Sequence, residues 1–236
     1  MVLLHELQYL RASRASRDVM FAFVRDRFWK LPVRKYYPDR ARFREFIRSG
    51  EFTHDWFSNN IPTWMRLFDK FGLRRRPVRI LEIGSFEGLS TCFILQHLPQ
   101  ARLVCVDAWS DPDGYSKGSA QRLEAVFDRN VTPWRGRLEK RKSSSAEYFK
   151  SELPLEQYDL IYVDGSHRPD DVALDAQESF ARLRIGGLLI FDDYLWRNYP
   201  QVRDNPATAI HNFLHAMTGR YRVECVNYQL VISKLR

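Results

Sequence analysis

The regular alternation of short apolar strands and helices that begins at Val78 constrains the fold of this chain more than any other feature. Five strands, the third more polar than the rest, are predicted at residues 78–83, 103–106, 138–142, 158–163 and 188–191. Apolar strands that alternate with helices are typical of a parallel sheet covered on both faces. Right-handed crossovers make such a sheet doubly wound, and ligands bind beyond the carboxyl ends of its strands.

Two further strands follow near the end of the chain. They span residues 221–227 and 229–233, and the connection between them is too short for a crossover, so they should pair antiparallel. We therefore predict an α/β fold with a doubly wound, mostly parallel, seven-stranded sheet and an antiparallel C-terminal strand. Residues 1–77 have the apolar spacing of helices and are predicted to form a helical N-terminal extension to one domain over residues 78–236.

The positive charge of the chain is concentrated in this extension. Residues 1–77 carry a balance of +9 and residues 78–236 a balance of −1, which together give the net charge of +8. Such a basic segment attracts phosphate, nucleic acid or an acidic substrate, although a solvated helical surface has the same composition. We predict that the extension acts as a lid or in oligomerisation, which leaves a homo-oligomer open.

The three cysteines and the hydropathy pattern indicate a cytoplasmic protein. Cys92, Cys105 and Cys225 are widely spaced in apolar segments, which is typical of buried free thiols in a reducing compartment. The sequence contains no run of 18 uncharged apolar residues, and its first residues do not resemble a signal peptide. We therefore expect no membrane partner.

Two groups of residues that resemble sites are interpreted as structural. The aromatic residues of the extension fit either a lid over the substrate or the core, and their helical spacing favours the core. They are Tyr36, Tyr37, Trp56, Phe57 and Trp64. His211 and His215 lie four residues apart on a predicted helix, but no third metal ligand accompanies them, so we interpret them as surface or packing residues.

The first candidate motif is Leu81-Glu-Ile-Gly-Ser-Phe-Glu-Gly88, between the first strand and the next helix. Gly84 allows a tight turn and a close approach of the backbone to a ligand, and Gly88 permits close packing where the helix begins. The free N–H groups of the helix suit a carboxylate, and Glu82 is placed for an ammonium group. The spacing alone is a weak signal, so a purely structural turn is the alternative.

The second motif is Asp107, which ends the second strand in Val-Asp-Ala-Trp109. An acidic residue about twenty positions after the first motif accepts both ribose hydroxyls of a nucleoside. Trp109 suits stacking on a base. A strand-end aspartate that caps the next turn is the alternative, but the two motifs together favour a nucleoside.

The third group consists of Asp164, His167, Asp192 and Asp193, which follow the fourth and fifth strands. Carboxylates that converge there repel one another unless a cation joins them, and oxygen ligands select a hard ion such as Mg²⁺. An imidazole suits proton removal from a hydroxyl near neutral pH. Alternatively, Asp164 lines the cofactor pocket, the Asp192-Asp193 pair caps a loop, and His167 is a pocket wall or binds substrate.

Together with Gly-Gly-Leu-Leu-Ile-Phe-Asp-Asp-Tyr194, the order and spacing of these motifs resemble class I S-adenosylmethionine-dependent methyltransferases. Within that class, residues 78–236 are most similar to the metal-dependent macrocin-type and cephalosporin-type (cephamycin-associated) small-molecule O-methyltransferases. The resemblance implies the Rossmann-like methyltransferase fold and S-adenosyl-L-methionine as the cofactor. It further implies Mg²⁺, or another hard divalent cation, as a second cofactor.

The resemblance also implies a set of cofactor-binding residues. The methionine part is assigned to Glu82, Gly84, Ser85 and Gly88, the ribose to Asp107, and the adenine to Trp109 and Ser144, while Asp164 lines the pocket. Two positions depart from the sequence pattern of these methyltransferases. Ser144 stands where many relatives carry Asp, and Phe86 stands where many have Gly.

The metal ligands that the resemblance implies are Asp164, Asp192 and Asp193, with His167 and Asp164 as catalytic residues. The metal would hold two neighbouring substrate hydroxyls and assist the loss of a proton from one of them. His167 occupies the position of the general base in these relatives.

We therefore predict a methyltransferase that acts on a hydroxyl of a small molecule, such as a sugar or natural product, with the assistance of a divalent metal. One alternative is a metal-independent methyltransferase for RNA or another phosphate-rich substrate, which only the charge of residues 1–77 favours. The basic segment lacks the features of a known nucleic-acid surface. The other alternative is a non-catalytic, cofactor-binding partner subunit.

Overall fold

The computed structural model describes residues 2–28, 33–110, 120–151 and 157–236. The strands are β1 Val78–Ile83, β2 Ala101–Asp107, β3 Leu138–Lys142, β4 Tyr158–Val163, β5 Leu183–Phe191, β6 Tyr221–Val226 and β7 Leu230–Lys234. The α-helices are α1 Val2–Ala12, α2 Arg17–Phe28, α3 Tyr37–Ser49, α4 Ile61–Lys70, α5 Leu89–His97, α6 Ala120–Asn130, α7 Ser145–Ser151, α8 Pro169–Arg182 and α9 Pro206–Ala216.

The strands form one seven-stranded sheet in the order β3-β2-β1-β4-β5-β7-β6. The pairs β1–β2, β2–β3 and β4–β5 are parallel, whereas β7 is antiparallel to both β5 and β6. This arrangement confirms the predicted mostly parallel sheet with an antiparallel C-terminal strand. The parallel strands are buried on both faces except the polar β3, which is what their near-continuous apolar sequences predict.

Contacts divide the chain into two compact units. One consists of residues 31–144 and holds α3, α4 and β1 to β3. The other consists of residues 1–30 and 145–236 and joins α1 and α2 to the C-terminal half of the chain. The two parts of the basic extension therefore belong to different units. A lid or oligomerisation role for residues 1–77 stays a prediction.

The core of the first unit is rich in aromatic residues. Phe43 of α3 and Phe93 of α5 have ring centroids 5.3 Å apart, and Trp64 of α4 lies 5.1 Å from Phe57. Phe57 and Trp64 are thus core residues, as their helical spacing favours, and Tyr36 is buried as well. Tyr37 and Trp56 are exposed.

In the second unit, the two N-terminal helices pack on elements from the end of the chain. The backbone N–H of Val226 in β6 donates to Asp26 of α2 over 2.8 Å, and Arg25 donates to the carbonyl of Glu224. His211 of α9 is buried and donates from Nδ1 to the carbonyl of Ser13, 2.7 Å away. Burial lowers the pKa of His211 to about 4, so the ring is neutral at physiological pH and serves packing, as predicted.

None of the helices in the described ranges combines the length and the apolar character that crossing a membrane requires.

Replacing Asp175 of α8 with Asn should stabilise the protein at neutral pH. The carboxyl is buried, and burial raises its pKa from 3.8 to about 7. Between these values the folded state binds more protons than the unfolded state, so the stability that this group contributes at low pH is lost as the pH rises through about 7. The amide avoids this loss, and the variant should gain up to about 4 kcal/mol in unfolding free energy at pH 8. Urea unfolding from pH 4 to pH 8 measures the difference.

The matched control is Asp170→Asn, because Asp170 is exposed on the same helix. This control should leave the pH dependence unchanged. A constant difference between Asp175→Asn and the wild type across the pH range would contradict the assignment.

Candidate functional site

The turn between β1 and α5 is shaped by two glycines with left-handed backbone conformations. Gly84 has a φ of 84° and donates its N–H to the carbonyl of Val106, over 2.9 Å, which ties the turn to β2. Gly88 has a φ of 83°, and a Cβ at this position would lie 3.0 Å from Phe127 and 3.1 Å from Val131. The close packing predicted at Gly88 is thus confirmed.

Glu82 lies beneath this turn and is fully buried. Its carboxylate accepts hydrogen bonds from the hydroxyls of Ser85, at 2.8 Å, Ser90, at 2.5 Å, and Thr91. Burial raises the pKa of Glu82, and these three hydroxyl donors act in the opposite direction. The residue fastens the turn to the first turn of α5, and its predicted contact with an ammonium group stays a prediction.

Asp107 joins the turn after β1 to the turn after β2. One carboxylate oxygen accepts the backbone N–H groups of Ser85 and Phe86, each over 2.8 Å. The other oxygen accepts the N–H of Trp109 over 2.5 Å. An aspartate at the end of a β-strand thereby fixes the two loops that the sequence predicts as the nucleoside site. Its assignment to the ribose stays a prediction.

Trp109 and Phe86 complete this corner. The indole of Trp109 is 1% exposed, packs on Phe127 and donates from Nε1 to the carbonyl of Phe86 over 2.9 Å. In this conformation the indole supports the turn after β1. Its stacking on adenine stays a prediction. Phe86 has a φ of 46°, a left-handed conformation that glycine adopts with the least strain. The loop therefore keeps the conformation of a glycine-rich turn although Phe stands in that position.

Residues 51–57 form a wall of this site, of which the sequence analysis indicated only Trp56 and Phe57, as residues of a lid or of the core. The N–H and hydroxyl of Thr53 donate to the carboxylate of Glu87, over 2.6 Å and 3.0 Å. The exposed ring of Trp56 lies 5.6 Å from the ring of Phe86 and stacks on His54 at 4.4 Å. Its contacts with the turn join residues 30 or more positions apart in the chain, so no local motif indicates them.

Ser144 lies just beyond β3 and is exposed. The preceding Ser143 donates its N–H to the carbonyl of Asp107, over 3.1 Å, so the third loop is anchored to the end of β2. An exposed hydroxyl at this edge is compatible with the predicted contact to adenine, which stays a prediction.

In the second unit, a tyrosine hydroxyl lies between two of the predicted metal ligands. The hydroxyl of Tyr162 is 2.8 Å from Asp164 and forms a short hydrogen bond to Asp192. Gln229 donates to the same oxygen of Asp192 over 2.8 Å. A signal for Tyr162 was present in the sequence, because residues two apart in a strand share a face, and Tyr162 precedes Asp164 by two positions.

Burial raises the pKa values of both Asp192 and Tyr162. It raises the pKa of Asp192 to about 6, and the neighbouring charge of Asp193 adds to this effect. Burial and the charges of Asp164 and Asp192 raise the pKa of Tyr162 well above its ordinary value. Tyr162 is therefore neutral at physiological pH, and its single hydroxyl proton is shared between these two carboxyl groups.

Asp193 forms a separate group with His167. Nε2 of His167 lies 2.7 Å from one oxygen of Asp193, and the hydroxyl of Tyr228 donates to the other oxygen over 2.7 Å. The imidazole stacks on Trp196, with ring centroids 4.4 Å apart and an interplanar angle of 12°. The three predicted metal ligands thus face protein donors. Within the described residues, no three His, Cys, Asp or Glu side chains are grouped so as to hold a metal ion.

Replacing Gly88 with Ala should destabilise the protein through two effects. The new Cβ meets Phe127 at 3.0 Å and Val131 at 3.1 Å, and the residue must adopt a positive φ. Overpacking and left-handed strain together should lower the unfolding free energy by about 2–4 kcal/mol, measured by chemical denaturation. Gly72→Ala is the control, because Gly72 has a φ of 63° and no atom within 4 Å of the added Cβ. Equal losses in the two variants would contradict the packing role of Gly88.

Several solved structures resemble this chain. MycE from the mycinamycin biosynthetic pathway, solved with Mg, SAH and mycinamycin VI, is 18% identical with a TM-score of 0.55, and the match covers 78% of this chain and 51% of MycE. TomG of Streptomyces achromogenes, an O-methyltransferase of tomaymycin synthesis solved with SAM, is 14% identical with a TM-score of 0.55, covering 94% of this chain and 92% of TomG.

An O-methyltransferase from Bacillus cereus, solved with SAH, is 16% identical with a TM-score of 0.57, covering 92% of this chain and all of that protein. At such identities these similarities establish the fold. This chain spans about half the length of MycE. No curated protein sequence gives a significant match.

A family model described as a methyltransferase domain matches residues 81–194. The match begins in β1, includes the turn after it, Asp107 and the carboxylate groups, and ends one residue after Asp193. It confirms the resemblance on which the predicted enzyme class was based: residues 81–194 of this chain match a methyltransferase domain.

Proposed function

We propose that this protein uses S-adenosyl-L-methionine to methylate a hydroxyl group of a small molecule. The proposal is supported by the methyltransferase domain and by similar structures that were solved with SAM or SAH and are described as O-methyltransferases. MycE, which was solved with mycinamycin VI, favours a natural product as the acceptor.

The observation that carries the proposal is the set of hydrogen bonds that Asp107 accepts at the ends of β1 and β2. A strand-end carboxylate that holds the N–H groups of Ser85 and Phe86 is positioned at the loop edge where nucleosides bind in doubly wound sheets. The free N–H groups at the start of α5 suit the carboxylate of the methionine part. Binding of ribose would require Asp107 to exchange a backbone N–H for a hydroxyl donor, which conserves its charge-assisted hydrogen bonding.

His167 is the proposed general base. The bound cofactor supplies a sulfonium methyl group that is already activated, so the protein must orient the acceptor and remove its proton. If Nε2–H of His167 donates to Asp193, Nδ1 keeps its lone pair and is the atom that accepts the proton. Asp193 then stabilises the imidazolium, and the stack on Trp196 fixes the plane of the ring.

Aromatic side chains near His167 favour a ring-containing acceptor. Trp196 stacks on His167, its ring lies 4.9 Å from the ring of Tyr199, and Tyr199 and Tyr228 are partly exposed. Apolar faces of this kind pack against sugar rings or aromatic rings. The resemblance to sugar and natural-product methyltransferases points in the same direction.

The predicted metal does not fit the arrangement of the described residues. Asp164, Asp192 and Asp193 have the oxygen ligands that Mg²⁺ prefers. However, Asp164 and Asp192 face the hydroxyl of Tyr162, whereas Asp193 contacts His167 and Tyr228, and the three do not form a metal-binding group. The proton transfer proposed above therefore includes no metal. Metal assistance stays a prediction of the resemblance.

Asp107→Ala should abolish cofactor binding in isothermal titration calorimetry with SAM or SAH. The substitution removes the ribose acceptor and releases three backbone N–H groups that hold the two loops. Glu139→Ala, an exposed carboxylate of β3, is the control and should bind as the wild type does. Unchanged affinity in Asp107→Ala would refute the ribose assignment.

His167→Ala should lower the single-turnover rate of methyl transfer by about 10²–10⁴-fold, because the acceptor hydroxyl loses its base. SAM affinity should be unchanged, which separates loss of the base from loss of the cofactor site. His5→Ala, an exposed histidine of α1, provides the control. A wild-type rate in His167→Ala would exclude the residue as the base.

The same assay performed in EDTA distinguishes the two routes to the deprotonated acceptor. Full turnover after chelation supports His167 and Asp193 acting without a metal. Loss of turnover that Mg²⁺ restores would support the metal-assisted route of the resembled family.

A further inference from the structure

A surface cavity of about 490 Å³ lies in the second unit, between the turn after α1 and the segment that leads into α9. Its polar lining consists of Arg14 from the turn, Gln201 and Arg203 from the segment, and Thr208 and Asn212 from α9. None of these residues belongs to the groups around Asp107 or His167. A volume of this size accommodates a small organic ligand.

Arg14 occupies a backbone position that normally belongs to glycine. After α1, the N–H of Ala15 donates to the carbonyl of Leu10, over 2.9 Å, and the N–H of Arg14 donates to the carbonyl of Arg11, over 3.1 Å. These two bonds form a Schellman motif, whose left-handed residue is usually glycine. Arg14 has a φ of 66°, so the fold maintains a strained conformation at a residue that lines this cavity.

The turn that carries Arg14 is anchored to α9. His211 donates to the carbonyl of Ser13, and His215 donates from Nε2 to the carbonyl of Arg14 over 2.8 Å. Both bonds hold the backbone on either side of the Arg14 Cα in place against the helix. The wall formed by the turn is therefore fixed relative to the wall formed by α9.

The opposite wall is held by its own hydrogen bonds. The side chain of Asn205 donates to the carbonyls of Tyr199 and Gln201, over 3.1 Å and 2.7 Å, and accepts the N–H of Tyr199. The hydroxyl of Thr208 donates to the carbonyl of Val202 over 2.9 Å. The segment that presents Arg203 and Gln201 is thus a preformed part of the cavity.

The charge of this cavity is largely uncompensated. Among the residues that the structure describes, the side chains of Arg14, Gln201 and Asn212 have no hydrogen-bond or ion-pair partner. Arg203 has one acidic neighbour, Asp204, at 3.8 Å, and its side chain is 77% exposed. Two guanidinium groups and two carboxamides at one cavity form a donor set that matches the oxygens of an anion.

We propose that this cavity binds a small molecule through an oxyanion, either a phosphate or a carboxylate, that Arg14 and Arg203 hold jointly. The site is separate from methyl transfer, and it assigns a ligand to part of the basic N-terminal segment. Strain at Arg14 is consistent with a residue whose side chain is needed at this place and not merely tolerated there.

The test is a titration of the full chain with inorganic phosphate, and separately with citrate, at constant ionic strength, followed by melting temperature and calorimetry. A specific site gives a saturable rise in melting temperature for at least one of the two anions, and the anion that binds more tightly identifies the chemistry of the group. An equal rise with chloride, or no saturation, would overturn the proposal.

Two variants of Arg14 distinguish the effect of its positive charge from the effect of its backbone strain. Arg14→Gln keeps the strain and should weaken binding of the anion at least tenfold. Arg14→Gly should weaken it equally while raising the melting temperature without ligand by about 2–4 °C, because glycine relieves the left-handed conformation. Arg11→Gln, on the same helix but outside the cavity, should bind as the wild type does. Wild-type affinity in Arg14→Gln, or a loss in Arg11→Gln as large as in Arg14→Gln, would overturn the proposal.

Discussion

The carboxylate of Asp107 holds the candidate nucleoside site together. Two loops that are about twenty residues apart in the chain meet because this side chain accepts N–H groups from both of them. A loop with positive φ at Gly84, Phe86 and Gly88 has few internal hydrogen bonds, so an external acceptor is needed to satisfy its backbone. Glu82 also stabilises this loop, because its carboxylate accepts hydrogen bonds from the hydroxyl groups of Ser85 and Ser90.

Much of the fold could be predicted from the sequence because the parallel strands are buried on both faces. Continuous apolar segments such as β4 and the last residues of β5 indicate such strands directly. The residues at their ends, such as Asp107 and Asp164, follow from the strand boundaries. The sequence does not indicate which group each of these carboxylates contacts. Whether a carboxylate faces a metal or a tyrosine hydroxyl depends on side chains brought in by other strands, as Gln229 is brought to Asp192.

The group around His167 illustrates how a single histidine gains a defined role. The residue was a candidate because of its position three residues after Asp164. Its orientation, however, depends on Asp193, on Trp196 and, through the carbonyl of Trp196, on the hydroxyl of Tyr9 in α1. These contacts join the first helix of the chain to the loop after β5, and a pattern of neighbouring residues carries no information about them.

The packing of α2 on β6 has a consequence for biosynthesis. Asp26 and Val226 are 200 positions apart, so α2 cannot pack on β6 until the whole intervening chain has been made. Contacts at such long separation are slow to form, since closure of the intervening chain costs entropy before any apolar area is buried. Until then, aromatic side chains such as Phe23, which are buried in the folded unit, are available to chaperones.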